Sequence, residues 1–575
     1  MTETEARTAP DLWWRLRTPR AQLGRLTSIG PLAWAASRAA GAVTGGGRVR
    51  AIEAVGLTPG MVKFYGLYFG YVNSLTRLRR ADSELVILRT AWNCGAYYEW
   101  FTHVYVSRSA GLSVDDVARV GVGPAAAEWS AKQRALLTAV DELTSRRVIS
   151  DDTWASVRLF FDDAQLADIC LLTGNYAMLA MLFNSVDVRP EPGAWQAWPI
   201  RILRRDAELG AVLTGDSVRR EPAGTALNNA VPVSDSNILT RLCAAVQLRG
   251  APPDRIALGA LRAVGPLTWT LSRLGGFATG AGVRAGVAAA DAIGMDPRMM
   301  RHYLPFAAKL VLGSHLSRPD TELATLRITW NSGVGYEWYY HAHFSRLSGV
   351  SPQTVERVAI GPSAPGWNER QRALLTAVDE LHTDRFISDD TWTRLRAHYS
   401  DRKLAALCLL VGHYDMIGML FRSFGVEPEP GALRRGPLRL LRPEDDSDRI
   451  MPARLPAVNR AVTNRLVRPL AGRAPGLGLL THTGRKSGKS YHTPVLVLRD
   501  GNRVVVPLPY GDTADWVRNV LAAGTAVIRY RGSTLLLSGP RVYDRTGCDE
   551  FGLATRFAAR VAKVLLAELV VDAAE

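Results

Sequence analysis

The sequence predicts a multidomain protein in which two all-α repeats of one helical module are followed by a mainly-β domain. The motif E-L-x-x-L-R-x-x-W-N-x-G-x-x-Y-E-W-x-x-H runs from Glu84 to His103 and recurs 238 residues later, from Glu322 to His341. Hydrophobic residues recur at helical spacing around both copies. Beyond about residue 460 the pattern changes to short segments bounded by glycine, which is typical of strands.

The spacing between the repeats is constant. It holds without an insertion from Glu84 to Gly193, and eleven of the first twenty paired positions are identical. One inserted residue would rotate every later side chain of a helix by about 100°, so packed helices are indicated. We therefore predict an N-terminal tail (1–25), a first repeat (26–203), a linker (204–236), a second repeat (237–433), a second linker (434–460) and a β domain (461–575).

Composition places the chain among globular proteins. Its 575 residues are 47% hydrophobic, an ordinary value, but no apolar run approaches the roughly 18 residues that a membrane-spanning helix needs. The N-terminus lacks the pattern of a secretory signal, so we expect a cytoplasmic protein, with peripheral membrane contact left open. The five cysteines form no C-x-x-C and no Cys/His spacing, which predicts neither a metal site nor a disulfide framework.

Positive charge is concentrated near the C-terminus. The chain carries a net charge of +16, and residues 451–575 hold 18 Lys and Arg against 9 Asp and Glu. An anionic partner is therefore expected in the β domain. Because no nucleic-acid-binding motif accompanies the charge, we expect no nucleic-acid partner.

The repeated motif contains candidate acid/base residues. Glu99 and His103 are four residues apart on one predicted helix face and can hydrogen bond, while Glu84 lies before a helix break at Asn93-Cys94-Gly95. A carboxylate beside an imidazole is the arrangement that general acid/base catalysis uses. A structural pair on a helix surface is the alternative. The copies are Glu322, Glu337 and His341, whereas His343 and His413 of the second repeat are expected to be structural.

These residues resemble the carboxymuconolactone decarboxylase and alkylhydroperoxidase-D-like (AhpD-like) proteins, in which Glu, Cys-x-x-Cys and His follow one another at fixed spacing. Glu84 and His103 match, but the two cysteine positions are Ala96 and Glu99, so no thiol peroxidase cycle can run. The resemblance implies acid/base chemistry of a lyase or isomerase on a small organic acid, or a non-catalytic oligomerisation scaffold. It also implies a homo-oligomer built through the helical repeats, within which a tandem copy could replace a two-subunit contact.

Five strands are predicted in the β domain, joined as a meander through Asp500-Gly501 and Arg531-Gly532 into a small barrel. They are Leu477–Thr483, Thr493–Arg499, Arg503–Leu508, Ala526–Tyr530 and Ser533–Leu537. Between the first two lies T-G-R-K-S-G-K, a glycine-rich basic turn that can hold a phosphate. An ordinary basic surface loop is the alternative.

The order T-G-R-K-S-G, T-P-V, strand-D-G-strand and D-W-V-R-N resembles the deazaflavin-dependent nitroreductase family from about Leu466 to Asp544. Members are split barrels that use reduced coenzyme F420, which carries a phosphate and an oligoglutamate tail, to reduce quinones and nitro compounds. The resemblance assigns Arg485, Lys486, Ser487 and Gly488 to the phosphate, His492, Thr493 and Pro494 to the tail or ring, and Trp516 and Asn519 to the deazaflavin. The whole sequence therefore predicts an F420-dependent oxidoreductase fused to helical modules.

Overall fold

The structure is a computed structural model that divides into two compact units. A helical unit comprises Met1–His341 with Val355–Ala432, and a second unit comprises Ala342–Thr354 with Leu433–Glu575. The described residues are 20–21, 23–74, 76–194, 238–247, 255–256, 261–282, 286–311, 315–430, 432–433, 471–472, 477–508, 512, 514–543, 555 and 563–569. Both predicted linkers, 204–236 and 434–460, and Cys548 lie outside the described residues.

Helices account for nearly all regular structure in the described part of both repeats, as predicted. In the first repeat they are α1 (Leu26–Thr44), α2 (Arg50–Gly56), α3 (Met61–Ser74), α4 (Arg80–Asn93), α5 (Tyr97–Ser109), α6 (Val114–Val122), α7 (Ala131–Arg146), α8 (Asp151–Val157) and α9 (Asp163–Val186). In the second they are α10 (Ile238–Gln247), α11 (Leu261–Thr279), α12 (Ala288–Ile293), α13 (Met299–Val311), α14 (Arg318–Asn331), α15 (Gly335–Phe344), α16 (Pro352–Ile360), α17 (Glu369–Asp384), α18 (Asp389–Arg396) and α19 (Asp401–Phe424).

Local sequence explains where several helices begin and end. The Ser113 side chain accepts a hydrogen bond from the backbone N–H of Asp116, and Ser150 caps α8 in the same way. Between α4 and α5, Gly95 adopts a φ of +60°, a conformation that glycine adopts without a steric penalty. The predicted helix break is therefore confirmed, and it places Glu84 and His103 on two adjacent helices.

The two repeats pack through α9 and α19, which are buried from Leu166 to Phe183 and from Leu404 to Phe421. Both helices are long and apolar enough to cross a membrane by length and composition, but each is a core helix here. Gly174 of α9 faces Met416, and the corresponding Gly412 of α19 faces Met178. A side-chain carbon added to either glycine would lie 2.5 to 2.6 Å from the opposite methionine, so both positions require close approach. This reciprocal contact is what a two-fold symmetric interface produces.

Further reciprocal hydrogen bonds define the same pseudo-two-fold relation. The backbone N–H of Ile149 donates to Ser423 Oγ, and that of Ile387 donates to Ser185 Oγ, each at 3.1 Å. Within one chain, the repeats thus meet as two identical subunits would. That the tandem copy replaces a contact between two subunits stays a prediction.

One ion cluster on this interface is asymmetric. Arg147 and Arg385 occupy corresponding positions, and both bind Asp415, at 3.1 Å from Arg147 Nε and 2.7 Å from Arg385 Nη1. Ser332 Oγ donates to the same carboxylate at 2.7 Å. All of these side chains are buried. Residue 177, which corresponds to Asp415, is alanine, so one carboxylate serves both arginines.

The second unit contains a curled, half-barrel sheet of seven antiparallel strands in the described residues. The strands are β1 (Leu477–Thr483), β2 (Ser490–Leu496), β3 (Leu498–Asp500), β4 (Arg503–Leu508), β5 (Thr525–Tyr530), β6 (Ser533–Tyr543) and β7 (Lys563–Leu569), with helix α20 (Asp515–Ala523) between β4 and β5. Their order across the sheet is β2-β1-β5-β6-β7-β4-β3.

Both predicted hairpins form, but the predicted meander is wrong. Gly501 and Gly532 have positive φ in the turns between β3 and β4 and between β5 and β6. However, β1 pairs with β5, and β4 pairs with β7, a strand that the sequence did not predict. Hairpin turns specify only neighbouring strands, whereas these long-range pairings depend on burial of one shared core. That core includes Leu480, Val506 and Leu565.

Candidate functional site

The first repeat holds a buried carboxylate–imidazole–phenol relay. His103 Nδ1 lies 2.8 Å from Glu84 Oε2, and His103 Nε2 lies 2.9 Å from the Tyr176 hydroxyl. The Tyr176 hydroxyl donates to Asn73 Oδ1 at 2.7 Å, and Arg80 pairs with the other oxygen of Glu84 at 2.7 Å. The relay joins α3, α4, α5 and α9, so packing of four helices fixes the orientation of the imidazole.

The second repeat reproduces this relay at the corresponding residues. His341 Nδ1 lies 2.8 Å from Glu322 Oε2, Tyr414 Oη lies 2.9 Å from His341 Nε2, and Arg318 pairs with Glu322 at 3.0 Å. Burial lowers the pKa of His341, but Glu322 and Glu337 outweigh burial and raise that pKa overall. Tyr176 and Tyr414 were not identified from the sequence, because each lies in an apolar helix 73 residues from its histidine.

The predicted hydrogen bond between Glu99 and His103 is wrong. Both carboxyl oxygens of Glu99 are buried without a hydrogen-bond partner, because the His103 nitrogens are turned toward Glu84 and Tyr176. Burial raises the pKa of Glu99 well above its usual range. In the second repeat, Glu337 Oε2 is 3.6 Å from His341 Nε2, an ion-pair distance that is long for a hydrogen bond.

Replacing Glu99 with glutamine is expected to raise the free energy of unfolding at mildly alkaline pH. The pKa of Glu99 is higher in the folded chain than in the unfolded chain. The contribution of Glu99 to the free energy of unfolding is therefore fully present below its pKa in the unfolded chain, and it is lost as pH rises through its pKa in the folded chain. A tenfold difference in proton affinity corresponds to about 1.4 kcal/mol.

Urea unfolding over a pH series measures this effect. Glu337→Gln is the matched control, because His341 opposes the effect of burial on the Glu337 pKa. The increase in the free energy of unfolding should therefore be smaller for Glu337→Gln than for Glu99→Gln. Superimposable pH profiles for the wild-type protein and Glu99→Gln would contradict the assignment.

Each relay has a neighbouring buried donor at corresponding positions 175 and 413. Asn175 Oδ1 accepts from the Tyr65 hydroxyl at 3.0 Å, and its Nδ2 has no hydrogen-bond partner. His413 Nε2 lies 2.8 Å from the Tyr303 hydroxyl, and its Nδ1 has no partner. When Tyr303 donates to Nε2, the neutral imidazole carries its proton on Nδ1. Each repeat thus has a side-chain nitrogen, Asn175 Nδ2 or His413 Nδ1, whose N–H donors are unsatisfied, and an oxygen of a small molecule is a suitable partner.

His413 is a core residue, in agreement with the structural interpretation. Its side chain is buried, and burial together with the nearby His341 lowers the pKa of His413 to about 3. His413 is therefore a neutral hydrogen-bonding group beside the relay. His343 is also buried, in agreement with a structural role.

In the half-barrel, the basic turn between β1 and β2 contains two exposed lysines. Lys486 and Lys489 have no ion-pair partner among the described residues, and Gly488 adopts a φ of +64° with open space around its α-carbon. The backbone N–H of Gly488 donates to the Gly484 carbonyl at 2.8 Å, which closes the turn. Two exposed ammonium groups on a closed turn suit an oxyanion such as a phosphate.

Arg485 is anchored, in contrast to the lysines. Its Nη1 donates to Asn519 Oδ1 at 2.9 Å, and its Nη2 pairs with Asp515 at 3.2 Å. Asn519 Nδ2 lies 3.2 Å from His482 Nδ1, and His482 Nε2 lies 3.1 Å from Thr493 Oγ1. Burial and the nearby His492 lower the pKa of His482, which favours the neutral ring.

This network ties the turn to α20 and strand β2. Three residues predicted for the coenzyme site, Arg485, Thr493 and Asn519, are thereby brought together. His482 was missed, although the alternation of β1 places it on the inward face with Leu480.

The remaining predicted residues of the half-barrel are distributed around the turn. Ser487 Oγ lies 3.1 Å from the Tyr491 hydroxyl, and His492 Nδ1 lies 2.9 Å from Thr481 Oγ1. Pro494 is half-buried in β2, an edge strand, where a missing N–H is tolerated. Trp516 is half-buried and packs against the core of the half-barrel.

Neither a metal cluster nor a disulfide is formed by the residues that the structure describes. Those residues contain no group of three His, Cys, Asp or Glu side chains that could hold a metal ion. Among the described residues, Cys94, Cys170, Cys243 and Cys408 are buried and form no disulfide. Burial raises the pKa of Cys170 and of Cys408 to about 12, so neither thiol is activated.

The described structure combines a helical unit that contains two buried carboxylate–imidazole–phenol relays with a half-barrel that has a basic, glycine-containing turn. Residues 455–546 match the family model of the quinone reductases that depend on reduced F420, and residues 297–380 match that of the carboxymuconolactone decarboxylase family. The second match covers α14 and α15, with Glu322 and His341 of the second relay, whereas Tyr414 lies outside it. The chain therefore combines a region similar to the carboxymuconolactone decarboxylase family with a region similar to the F420-dependent quinone reductases. No curated protein matches the chain.

Proposed function

We propose that the protein is an oxidoreductase that uses reduced coenzyme F420 to reduce a quinone- or nitro-type acceptor in its half-barrel domain. The observation that carries this proposal is the β1–β2 turn inside the region that matches the F420-dependent quinone reductases, where Lys486 and Lys489 have no ion-pair partner among the described residues and the space around Gly488 is open. The high positive charge of residues 451–575 also suits a coenzyme with a phosphate and an acidic tail.

The residues present fit the anionic part of this coenzyme. Lys486 and Lys489 would bind the phosphate, and the hydrogen bonds of Arg485 to Asn519 and Asp515 would keep the turn in one orientation. The neutral His482, between Asn519 and Thr493, would hold β2 beside the turn. Reduced F420, when bound, supplies a hydride, so the main task of the protein is to position donor and acceptor.

Turnover tests the proposal directly. Under anaerobic conditions, the full chain is expected to oxidise reduced F420 in the presence of a naphthoquinone or a nitroaryl acceptor, measured by the return of the absorbance of oxidised F420. Asn519→Ala should slow the reaction, because it frees both Arg485 and His482 from their shared anchor. Oxidation of NADPH but not of reduced F420 with the same acceptors would contradict the proposal.

A second candidate function is acid/base catalysis by the helical repeats on a small organic acid. The favouring observation is that both relays place an imidazole between a carboxylate and a tyrosine, next to an unsatisfied N–H group of Asn175 or His413. The imidazole could move a proton at a carbon next to a carbonyl, while the N–H group holds the carbonyl oxygen.

Hydrogen–deuterium exchange at that carbon, followed by NMR with a panel of small keto acids, tests this candidate. His103→Gln combined with His341→Gln should lower the exchange rate by about 100-fold or more. His398→Gln, at an exposed position, is the control and should leave the rate unchanged. Equal exchange by both proteins would favour the remaining alternative, a scaffold without catalysis in the repeats.

A further inference from the structure

The two relays differ in the residue that lies beside the tyrosine hydroxyl. Asn73 of α3 and Val311 of α13 occupy the same place, because Arg80 Nη1 donates to the Asn73 backbone carbonyl and Arg318 Nη1 donates to the Val311 backbone carbonyl. The carboxylate, imidazole, tyrosine and arginine are the same residue types in both relays. The first relay therefore has a side-chain amide where the second has an apolar side chain.

In the first relay, this amide fixes the direction of the hydrogen bonds. The Tyr176 hydroxyl donates its one proton to Asn73 Oδ1 at 2.7 Å, and an amide oxygen can only accept. Toward His103 Nε2, 2.9 Å away, the same hydroxyl can then act only as an acceptor. His103 Nε2 must therefore carry a hydrogen and donate it. A ring nitrogen in that state cannot accept a proton from a substrate.

The second relay has no amide at this place. Val311 offers no side-chain acceptor, so the Tyr414 hydroxyl can donate to His341 Nε2 at 2.9 Å. Thr325 also lies near this phenol, but a hydroxyl rotates and can either donate or accept, so it does not fix the direction. His341 Nε2 can therefore change between accepting a hydrogen and donating one.

Two further differences place more proton-transfer groups beside the second relay. Glu337 Oε2 lies 3.6 Å from His341 Nε2, and the Glu337 side chain is 14% exposed. Both oxygens of Glu99, its counterpart, are buried without a hydrogen-bond partner among the described residues. The ring of His413 lies next to that of Tyr414, with ring centroids 5.1 Å apart, where the first repeat has an amide. The second site thus has a second imidazole and a carboxylate that solvent can reach.

We propose that proton transfer takes place in the second repeat, with Tyr414 as a catalytic residue, and that Asn73 holds the first relay in a state without turnover. The proposal rests on the acid/base function proposed above for the repeats. It goes beyond that function because it assigns different roles to two sites whose carboxylate, imidazole and tyrosine are the same. Asn73 is a positioning residue, since it acts through the Tyr176 hydroxyl.

In the proposed step, a carbon–hydrogen bond next to a substrate carbonyl breaks, and its proton moves to the Tyr414 oxygen. The Tyr414 proton moves to His341 Nε2, and Glu322, whose Oε2 lies 2.8 Å from Nδ1, stabilises the resulting imidazolium. The electron pair passes to the carbonyl oxygen, which accepts a hydrogen bond from His413 Nδ1. The reverse path returns a proton to the carbon. In the first repeat this step is blocked, because His103 Nε2 already carries a hydrogen.

Hydrogen–deuterium exchange of the small keto acids by the full chain tests the proposal. Val311→Asn is expected to lower the exchange rate by about tenfold or more, because the new amide takes the Tyr414 proton and makes His341 Nε2 a donor. Val311→Ile, which keeps the position apolar, is the matched control and should exchange at the wild-type rate. Asn73→Val added to His341→Gln should raise the exchange rate above that of His341→Gln alone, because it releases the first relay.

Nitrogen NMR of isotope-labelled histidine rings gives a second readout that does not depend on turnover. Mildly alkaline pH suits this measurement, because the pKa of His341 is raised. There, Nε2 of His341 should gain a hydrogen in Val311→Asn, and Nε2 of His103 should lose its hydrogen in Asn73→Val. The variants His103→Gln and His341→Gln assign the two sets of signals.

The outcomes separate this proposal from the function on which it rests. Exchange by the wild-type protein that is equally fast in Val311→Asn, with unchanged ring signals, would overturn the proposal and leave the acid/base function in place. An equal loss of exchange in Val311→Asn and Val311→Ile would also overturn it, because packing and not the amide would then be the cause. No exchange of any keto acid by the wild-type protein would contradict the acid/base function and, with it, the catalytic role of Tyr414.

Discussion

Asp415→Ala is expected to lower the free energy of unfolding of the helical unit by about 3–5 kcal/mol, the usual cost of breaking a buried ion pair. The variant leaves the buried guanidinium groups of Arg147 and Arg385 without their shared carboxylate, and Ser332 loses its acceptor. Because the cluster joins the two repeats, the variant should also weaken their association within the chain. Urea unfolding followed by tryptophan fluorescence measures the loss.

Asp390→Ala is the matched control for this variant. Its side chain is 82% exposed and pairs with Arg394 across one helical turn, so the loss should stay within about 1 kcal/mol. A loss for Asp415→Ala no larger than that of the control would show that Asp415 does not stabilise the interface.

Acidification provides an independent check on Asp415. Burial raises the pKa of this carboxyl, but Arg147 and Arg385 outweigh burial and hold the pKa well below its usual range. Its stabilising contribution is therefore present above the unfolded carboxyl pKa and is lost as pH falls through the folded pKa. The difference in the free energy of unfolding between the wild-type protein and Asp415→Ala should therefore decrease in acid. A constant difference across the acid range would argue against the ion pair as the cause.

Lys486→Ala combined with Lys489→Ala is expected to weaken F420 binding by at least about tenfold, which corresponds to about 1.4 kcal/mol. Charge-assisted hydrogen bonds contribute about 1.5–3 kcal/mol each, but these lysines are exposed, so solvent reduces the effect. The variant should also reduce the salt dependence of the dissociation constant, because two cations no longer contribute.

Arg531→Ala is the control for the lysine variant. It removes a cation from another hairpin turn of the same half-barrel, between β5 and β6, where the guanidinium lies over the Tyr530 ring. F420 affinity should be unchanged in this variant. Equal weakening by the two variants would mean that overall charge, and not the β1–β2 turn, determines binding.

Local and repeated features of this protein could be predicted from its sequence. The break at Gly95, the caps at Ser113 and Ser150, and the hairpins at Gly501 and Gly532 depend on residues close in the chain. The duplicated motif also placed Glu84 and His103 on neighbouring helices, because the break between α4 and α5 folds them together. The family matches agree with the resemblance of both domains to known families.

Contacts between distant segments could not be predicted. Tyr176 and Asn175 lie in an apolar helix, where periodicity alone cannot separate a polar site residue from core. Asp415 has no counterpart in the first repeat, and its partner Arg147 lies 268 residues earlier in the chain. Strand β7 lies beyond the segment that resembles a known family, and its pairing with β4 depends on the tertiary core. Such pairings depend on which residues are buried together, and a single sequence does not specify this.

A fluorescence titration of the full chain with oxidised F420, with FMN as the comparison, tests the central claim most directly. The turn that contains Lys486 and Lys489, together with the match of residues 455–546, predicts saturable F420 binding at micromolar concentration. F420 should bind more tightly than FMN, and added salt should weaken its binding. No binding of F420, or tighter binding of FMN, would contradict the claim that the half-barrel is an F420-dependent reductase.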